Sequence, residues 1–311
     1  MKKQFILVHG PTGVGKSDSI TQLGATFPIE IINCDVGQFY EPFSIGTAKP
    51  DWKSQKIPHH LFDIIKTPQD FSVLDYRELI IKTMEEIWNR KHIPVLVGGS
   101  GFYGKSLFFP PLATAHSVQS NQSTHGNWQE LHKLDPDRAL KIHQNDTYRI
   151  ARALQLLNQQ TIKPSQLQPI FNPPEGDCLI VFLTRDRQQL YQRINARTVE
   201  MLAGGWIEEV EKIQGTAWQN FLYQKKLIGY TEILEYLKKG DLSDKAQKDM
   251  TQKISQKTRH YAKRQETFWS MFKKLLTPYV KDTHLAIIEV DLSKDEQALE
   301  LTKKVKNFLS L

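Results

Sequence analysis

Five short apolar runs punctuate the chain: Phe5-Ile6-Leu7-Val8, Ile29-Glu30-Ile31-Ile32, Ile93-Pro94-Val95-Leu96-Val97, Cys178-Leu179-Ile180-Val181-Phe182-Leu183 and Leu285-Ala286-Ile287-Ile288-Glu289-Val290. They are nearly continuous rather than alternating, the pattern of strands buried on both faces of a parallel sheet. Between them lie stretches with helical spacing, such as residues 72–90, for which Ser72 is a suitable N-cap. From Met1 to about Leu107 the alternation predicts an α/β fold, a parallel sheet with crossover helices on both faces. After Phe108-Phe109-Pro110-Pro111 the character changes. Residues 113–127 are rich in Ser, Gln, Asn, Thr and His and read as a loop. Helical patterns follow through Trp128, Leu131 and Leu134, then from Asp135 to Leu157, basic around Arg149 and Arg152. The strand at Cys178 resumes the sheet. Residues 110–175 therefore read as a small helical insertion in a core made of 1–109 and 176–311. We find no internal repeat.

Composition narrows the class. No apolar run approaches the ~20 residues that span a bilayer, so no membrane association is expected. The first strand begins by Phe5, which leads us to expect no secretory leader. Two cysteines, Cys34 and Cys178, make neither a disulfide framework nor a zinc site, and a reducing cytoplasm is the expected compartment. The 41 Lys and Arg against 34 Asp and Glu, a formal +7, suit a polyanionic partner.

The chemistry begins directly behind the first strand. Gly10-Pro11-Thr12-Gly13-Val14-Gly15-Lys16-Ser17 matches the phosphate-loop pattern of nucleotide- and ATP-binding proteins at every fixed position. Its glycines let successive N–H groups turn inward onto phosphate oxygens. The following helix presents its positive end, Lys16 adds a charge, and the Ser17 hydroxyl is a candidate magnesium ligand. Enzymes that hydrolyse or transfer a terminal phosphoryl group need an acid at the end of a second strand. Here the strand Ile93–Val97 ends in Gly98-Gly99-Ser100-Gly101 instead. The available carboxylate is Asp35, behind the strand that follows the phosphate-loop helix, on the sheet edge where ligands bind. Asp35 is thus a candidate general base, the local alternative being a helix cap or turn residue.

Several blocks then resemble the bacterial tRNA dimethylallyltransferases, also called tRNA isopentenyltransferases. They are Gly10-Pro11-Thr12 with the loop, Asp35-x-x-Gln38-x-Tyr40, Ile45-Gly46-Thr47-Ala48-Lys49-Pro50 and Pro58-His59-His60-Leu61. Gly98-Gly99-Ser100-Gly101-Phe102-Tyr103, Asn145-Asp146-x-x-Arg149-Ile150-x-Arg152 and Leu190-Tyr191-x-Arg193-Ile194-x-x-Arg197 follow in family order. Ile228-Gly229-Tyr230 and Thr258-Arg259-x-Tyr261-Ala262-Lys263-Arg264-Gln265 complete the set.

The resemblance implies a monomeric cytoplasmic enzyme. Such enzymes transfer a dimethylallyl group from dimethylallyl diphosphate to N6 of adenosine 37 in the tRNA anticodon stem-loop. It casts Asp35 as the base, with Thr12, Lys16 and Arg197 stabilising the diphosphate leaving group together with Mg2+. The whole loop 10–17 would hold the diphosphate. Asp35, Val36, Gly37, Gln38 and Ser100 match positions near the flipped adenosine. Tyr148, Arg149, Ile150, Ala151 and Arg152, the segment Lys226 to Thr231 with Gly229 and Tyr230, and Arg259, Lys263 and Arg264 match regions that touch RNA. The chain departs from the family at Val36-Gly37 and at Glu41-Pro42-Phe43-Ser44, where Glu41 brings negative charge towards the expected RNA phosphates. Three other readings stand beside the main one: an adenylate isopentenyltransferase acting on free AMP, ADP or ATP, a phosphate-loop kinase, and an RNA-binding paralogue without catalysis.

Overall fold

The apolar runs assemble into one parallel sheet of strand order β3-β2-β4-β1-β5-β6 in the computed structural model, which describes residues 2–111, 127–159, 163–241, 243–280, 284–294 and 297–310. The first elements are β1 (Gln4–His9), α1 (Lys16–Gly24), β2 (Ile29–Asn33), β3 (His59–His60), α2 (Val73–Asn89), β4 (Ile93–Gly98) and α3 (Gly101–Phe108). Then come α4 (Trp128–Leu134), α5 (Pro136–Ala139), α6 (Thr147–Gln159), β5 (Asp177–Thr184), α7 (Arg187–Met201), α8 (Ile207–Glu211) and α9 (Ala217–Lys225). The chain closes with α10 (Tyr230–Lys239), α11 (Asp244–Leu276), β6 (Leu285–Asp291) and α12 (Gln297–Leu309). Five strands coincide with the apolar runs. The two-residue β3, paired with Ile31 and Ile32 of β2, carries no apolar signature and was invisible in the pattern.

The chain divides into two compact units, 1–107 with 174–311, and 108–173. In the larger unit, one sheet face carries Ile6, Val8, Val95, Leu179 and Val181. It is covered by Ile20 and Leu23 of α1, Leu190 and Ile194 of α7, and Leu301 and Val305 of α12. Each fully buried side chain of this kind contributes about 1.5–3 kcal/mol. The other face is closed by α2, whose Trp88 indole donates to the Gln4 carbonyl (2.8 Å), and by Trp269 of α11 against His9 and Phe182. The Ser72 hydroxyl caps α2 by accepting from Asp75 N–H, as its sequence position implies. No helix among the described residues is long and apolar enough to cross a membrane.

The smaller unit has its own core of Leu131, Ala139, Ile142, Ile150, Ala153 and Leu154. The run Asp135–Leu157, expected as one helix, is two. Asp135 ends α4 and caps α5, with Pro136 in its first turn, and Asp146 accepts from Arg149 N–H at the start of α6. Phe171 packs on Phe109 (5.4 Å between ring centroids) and Asn172 N–H donates to the Phe108 carbonyl, which draws Phe108 and Phe109 into this unit. Of the polar stretch 113–127, only Asn127 is among the described residues, and it caps α4.

One buried carboxylate bears on stability. Glu30 of β2 accepts from Arg90 through Nε (2.9 Å) and an Nη (2.7 Å), and pairs with His60 (2.6 Å) and His92 (2.8 Å). Burial opposes its charge, but Arg90 and the two histidines prevail and bring its pKa down to about 2. A carboxyl lowered on folding stabilises the fold above its unfolded pKa, and that contribution disappears as pH falls towards about 2. Glu30→Gln should lower the unfolding free energy by about 1.5–3 kcal/mol at neutral pH, the range for hydrogen bonds to a charged group. Urea denaturation should show the difference shrinking in acid.

Candidate active site

The site lies at the C-terminal ends of three adjacent strands, where β1 runs into the phosphate loop, β2 into Asp35 and β4 into Gly98-Gly99-Ser100. In the loop, Gly13 (φ 81°) and Gly15 (φ 112°) take left-handed conformations that a side chain would strain. Val14 is fully buried and anchors the loop in the core. Arg193 Nε donates to the Gly13 carbonyl (2.8 Å) and Arg185 Nε to the Val14 carbonyl (3.1 Å), so two guanidinium groups grip the loop by its carbonyls. Lys16 Nζ donates to the carbonyls of Gly10 (2.9 Å) and Pro11 (3.1 Å), leaving a third N–H for an anion.

Asp35 stands two strands away, and the glycines of β4 let it reach the loop. A Cβ on Gly98 would lie 2.1 Å from the Cys34 carbonyl oxygen. One on Gly99 would lie 2.2 Å from Gln265 Nε2. A side chain at Gly98 would collide with the Cys34–Asp35 backbone, and one at Gly99 with Gln265 beside the Asp35 carboxylate. The N–H groups of Gly99 and Gly37 lie beside the carboxylate and favour its charge. Its backbone is held by Asn33, fully buried, whose Oδ1 accepts from Asp35 N–H (2.8 Å). Burial pushes the Asp35 carboxyl above the usual carboxylate range, against the pull of Lys16, the two N–H groups and Arg197. Burial likewise draws the Lys16 ammonium down to about 8, Asp35 supporting its charge and Arg197 opposing it.

Arg197, on α7, completes the group. Its charge acts on both Asp35 and Lys16. Its guanidinium is largely desolvated and makes no hydrogen bond among the described residues. A buried guanidinium with its fork of donors unspent is built to receive an anion. Thr12, the other expected leaving-group ligand, has its N–H taken by Gln265 Oε1 (2.9 Å), while its hydroxyl has no partner among the described residues.

The 38–272 stretch matches the family model described as IPP transferase. The chain belongs to the IPP transferase family. Among curated members, the tRNA dimethylallyltransferase of Thermotoga maritima is 34% identical over 286 residues, 87% of this chain and 90% of that protein. That of Fervidobacterium nodosum is 34% identical over 303 residues, 93% and 96% of the two chains. Among solved structures, a eukaryotic dimethylallyltransferase acting on tRNA superposes with a TM-score of 0.80 at 28% identity, covering 99% of this chain and 80% of that one. The tRNA isopentenylpyrophosphate transferase of Bacillus halodurans gives 0.65 at 26%, covering 99% and 97%.

The residues expected on the acceptor side divide in this IPP transferase. Ser100 Oγ accepts from Val36 N–H (3.1 Å) at the 35–38 turn and lies beside Tyr261 of α11. Gln38 spends its Nε2 on the carbonyls of Thr47 (3.0 Å) and Ala48 (3.3 Å). Lys263 and Arg264 are exposed on α11, while Arg259 donates to Asn195 (2.6 Å). Lys226 is exposed, but the stretch dives inward after it. Tyr230 is fully buried and donates to Glu209 (2.6 Å), and Gly229 packs so closely on Trp206 that a Cβ would meet it at 2.0 Å. The Tyr230 side chain is therefore corrected from an RNA contact to a support. Glu209 also accepts from the N–H groups of Ser44, Ile45 and Gly46, which fixes the Ile45–Pro50 loop. In the smaller unit, Tyr148 (80% exposed) and Arg149 face solvent, and Ala151 and Arg152 are half-buried. Ile150 is corrected too, since its side chain fills that unit's core.

For Mg2+, the Ser17 hydroxyl is exposed and has no partner among the described residues. The described residues contain no group of three or more His, Cys, Asp or Glu that could hold a metal. This donor set fits an ion held mainly by phosphate oxygens and water, with one protein hydroxyl.

Proposed function

We propose that this transferase moves the dimethylallyl group of dimethylallyl diphosphate to N6 of adenosine 37 in tRNA, releasing diphosphate. The observation that carries the reading is the convergence of Asp35, Lys16 and Arg197 across the side-chain-free end of β4. One carboxylate and two cations at one edge suit a reaction in which an amine loses a proton while a diphosphate polyanion departs. The names of the relatives support the same activity.

Adenine N6 is a weak nucleophile because its lone pair is delocalised into the ring. Asp35 accepts the N6 proton as the new C–N bond forms and the C–O bond to diphosphate breaks. Negative charge grows on the leaving oxygen, where Lys16, the Arg197 fork and the Thr12 hydroxyl receive it. Ser17 would hold Mg2+, which supplies further neutralisation of the diphosphate when bound. In the larger unit the exposed Lys263 and Arg264 of α11 are candidates for RNA contact, and in the smaller unit Tyr148 and Arg149 are.

A pH profile follows. The base works ionised, so kcat/KM should rise with pH through the elevated Asp35 titration. Lys16 must stay protonated, so activity should decline above about 8. Initial rates in overlapping buffers at saturating tRNA check both limbs.

The direct test uses purified protein, magnesium and labelled dimethylallyl diphosphate, with unmodified tRNA carrying A36-A37-A38 in one tube and AMP in another. Label in tRNA establishes the reading. Label only in AMP moves the protein to the adenylate branch, and label in neither leaves an RNA-binding paralogue.

A further inference from the structure

Gln265 joins the two halves of the site. It sits on α11 where that helix crosses the C-terminal edge of the sheet, between Ala262, packed in the core of one face, and Trp269, packed on the other. The side chain is 5% exposed. Oε1 accepts from Thr12 N–H in the phosphate loop (2.9 Å), and Nε2 donates to the Gly99 carbonyl at the end of β4 (2.8 Å). The Gly99 N–H in turn lies beside the Asp35 carboxylate and favours its charge. Gln265 Nε2 and Asp35 Oδ2 both lie within 3.5 Å of the point a Cβ on Gly99 would occupy. Tyr261, one helical turn earlier, lies beside both Gln265 and Ser100.

We propose that Gln265 is a positioning residue for group transfer, one amide that fixes the spacing between the diphosphate loop and the turn holding the base. This inference rests on the transferase reading above. In a displacement at carbon, the attacking nitrogen, the carbon and the leaving oxygen must lie near one line, so slack between the base and the leaving-group cradle costs rate. A misplacement of about 1 Å costs up to 10²-fold. An amide suits the slot at any pH, because it offers an acceptor for one N–H and a donor for one carbonyl on a single planar, uncharged group.

Two variants separate positioning from bulk packing. Gln265→Met keeps the length and removes both hydrogen bonds. Gln265→Glu keeps the acceptor for Thr12 but turns a carboxylate oxygen onto the Gly99 carbonyl and places charge near Asp35. The groups facing Asp35 are Lys16 from the loop, Arg197 from α7, Tyr261 from α11 and Tyr76 from α2, with Cys34 beside it on its own strand end. All remain in both variants, so in Gln265→Met a shift in the acid limb reports the altered turn, whereas in Gln265→Glu it also contains the direct effect of the added charge.

For Gln265→Met we expect kcat lower by about 10- to 100-fold, with KM for dimethylallyl diphosphate nearly unchanged. The acid limb should move to higher pH in the Met variant and further in the Glu variant. Hydrogen exchange supplies a readout that needs no turnover. Adding inorganic diphosphate to the wild type should slow exchange in peptides spanning both the loop and residues 98–101. In Gln265→Met the protection should be confined to the loop. An unchanged acid limb with equal protection of 98–101 in both proteins overturns the proposal. If the wild type itself transfers no label to tRNA, the functional reading fails, and the exchange comparison still decides whether Gln265 couples the two segments.

Discussion

Asp35→Asn is expected to cut prenyl transfer by about 10²- to 10⁴-fold, the span of a positioned general base, while inorganic diphosphate binds as before. Asparagine preserves the shape, but it cannot take the N6 proton. Diphosphate binding should survive because Asp35 donates nothing to the loop. Thermal stability should hold or rise, since burial disfavours the carboxylate in the folded protein, a cost carried at functional sites for the sake of the chemistry. Single-turnover transfer, diphosphate titration calorimetry and a melting curve on the same preparation separate these effects. Parallel loss of transfer, diphosphate affinity and stability would make Asp35 a structural residue.

Arg197→Ala should lower kcat by about 10²- to 10³-fold, as loss of one preorganised donor to a developing anion does, and should weaken diphosphate binding as well. The fork is desolvated, makes no hydrogen bond among the described residues, and acts on both Asp35 and Lys16. Arg197→Lys should recover only part of the rate, because an ammonium supplies charge without the planar pair of donors. The two sites thus give crossed signatures: Asp35 variants lose turnover and keep diphosphate, whereas Arg197 variants lose both. Equal kcat and diphosphate affinity in Arg197→Ala and the wild type would remove Arg197 from the leaving-group role.

The phosphate loop was legible because everything it needs is local. A buried strand, two glycines at positive φ and a lysine at the helix start lie within 14 consecutive residues, Gln4 to Ser17. Asp35 could be found because a polar residue ending an apolar strand lands on the ligand-binding edge whatever the rest of the fold does. Gln265 gave no such signal. Its partners Thr12 and Gly99 are 253 and 166 residues away, and a glutamine on a polar-rich helix reads as solvated. Tyr230 and Ile150 show the converse. Each lies in a motif that suggests contact with RNA, yet helical phase turned both side chains inward.

Alone, the sequence determined the parallel sheet, the glycine loop with its lysine and the carboxylate at the end of the second strand, because strand burial and tight-turn geometry are settled over a few consecutive residues. The tertiary structure decided which side chains meet. It aimed Arg197 at Lys16 and Asp35, buried Tyr230 under Glu209, and placed Gln265 between the loop and β4. Those roles depend on how α7, α10 and α11 pack over the sheet edge, and packing is a property of distant segments acting together.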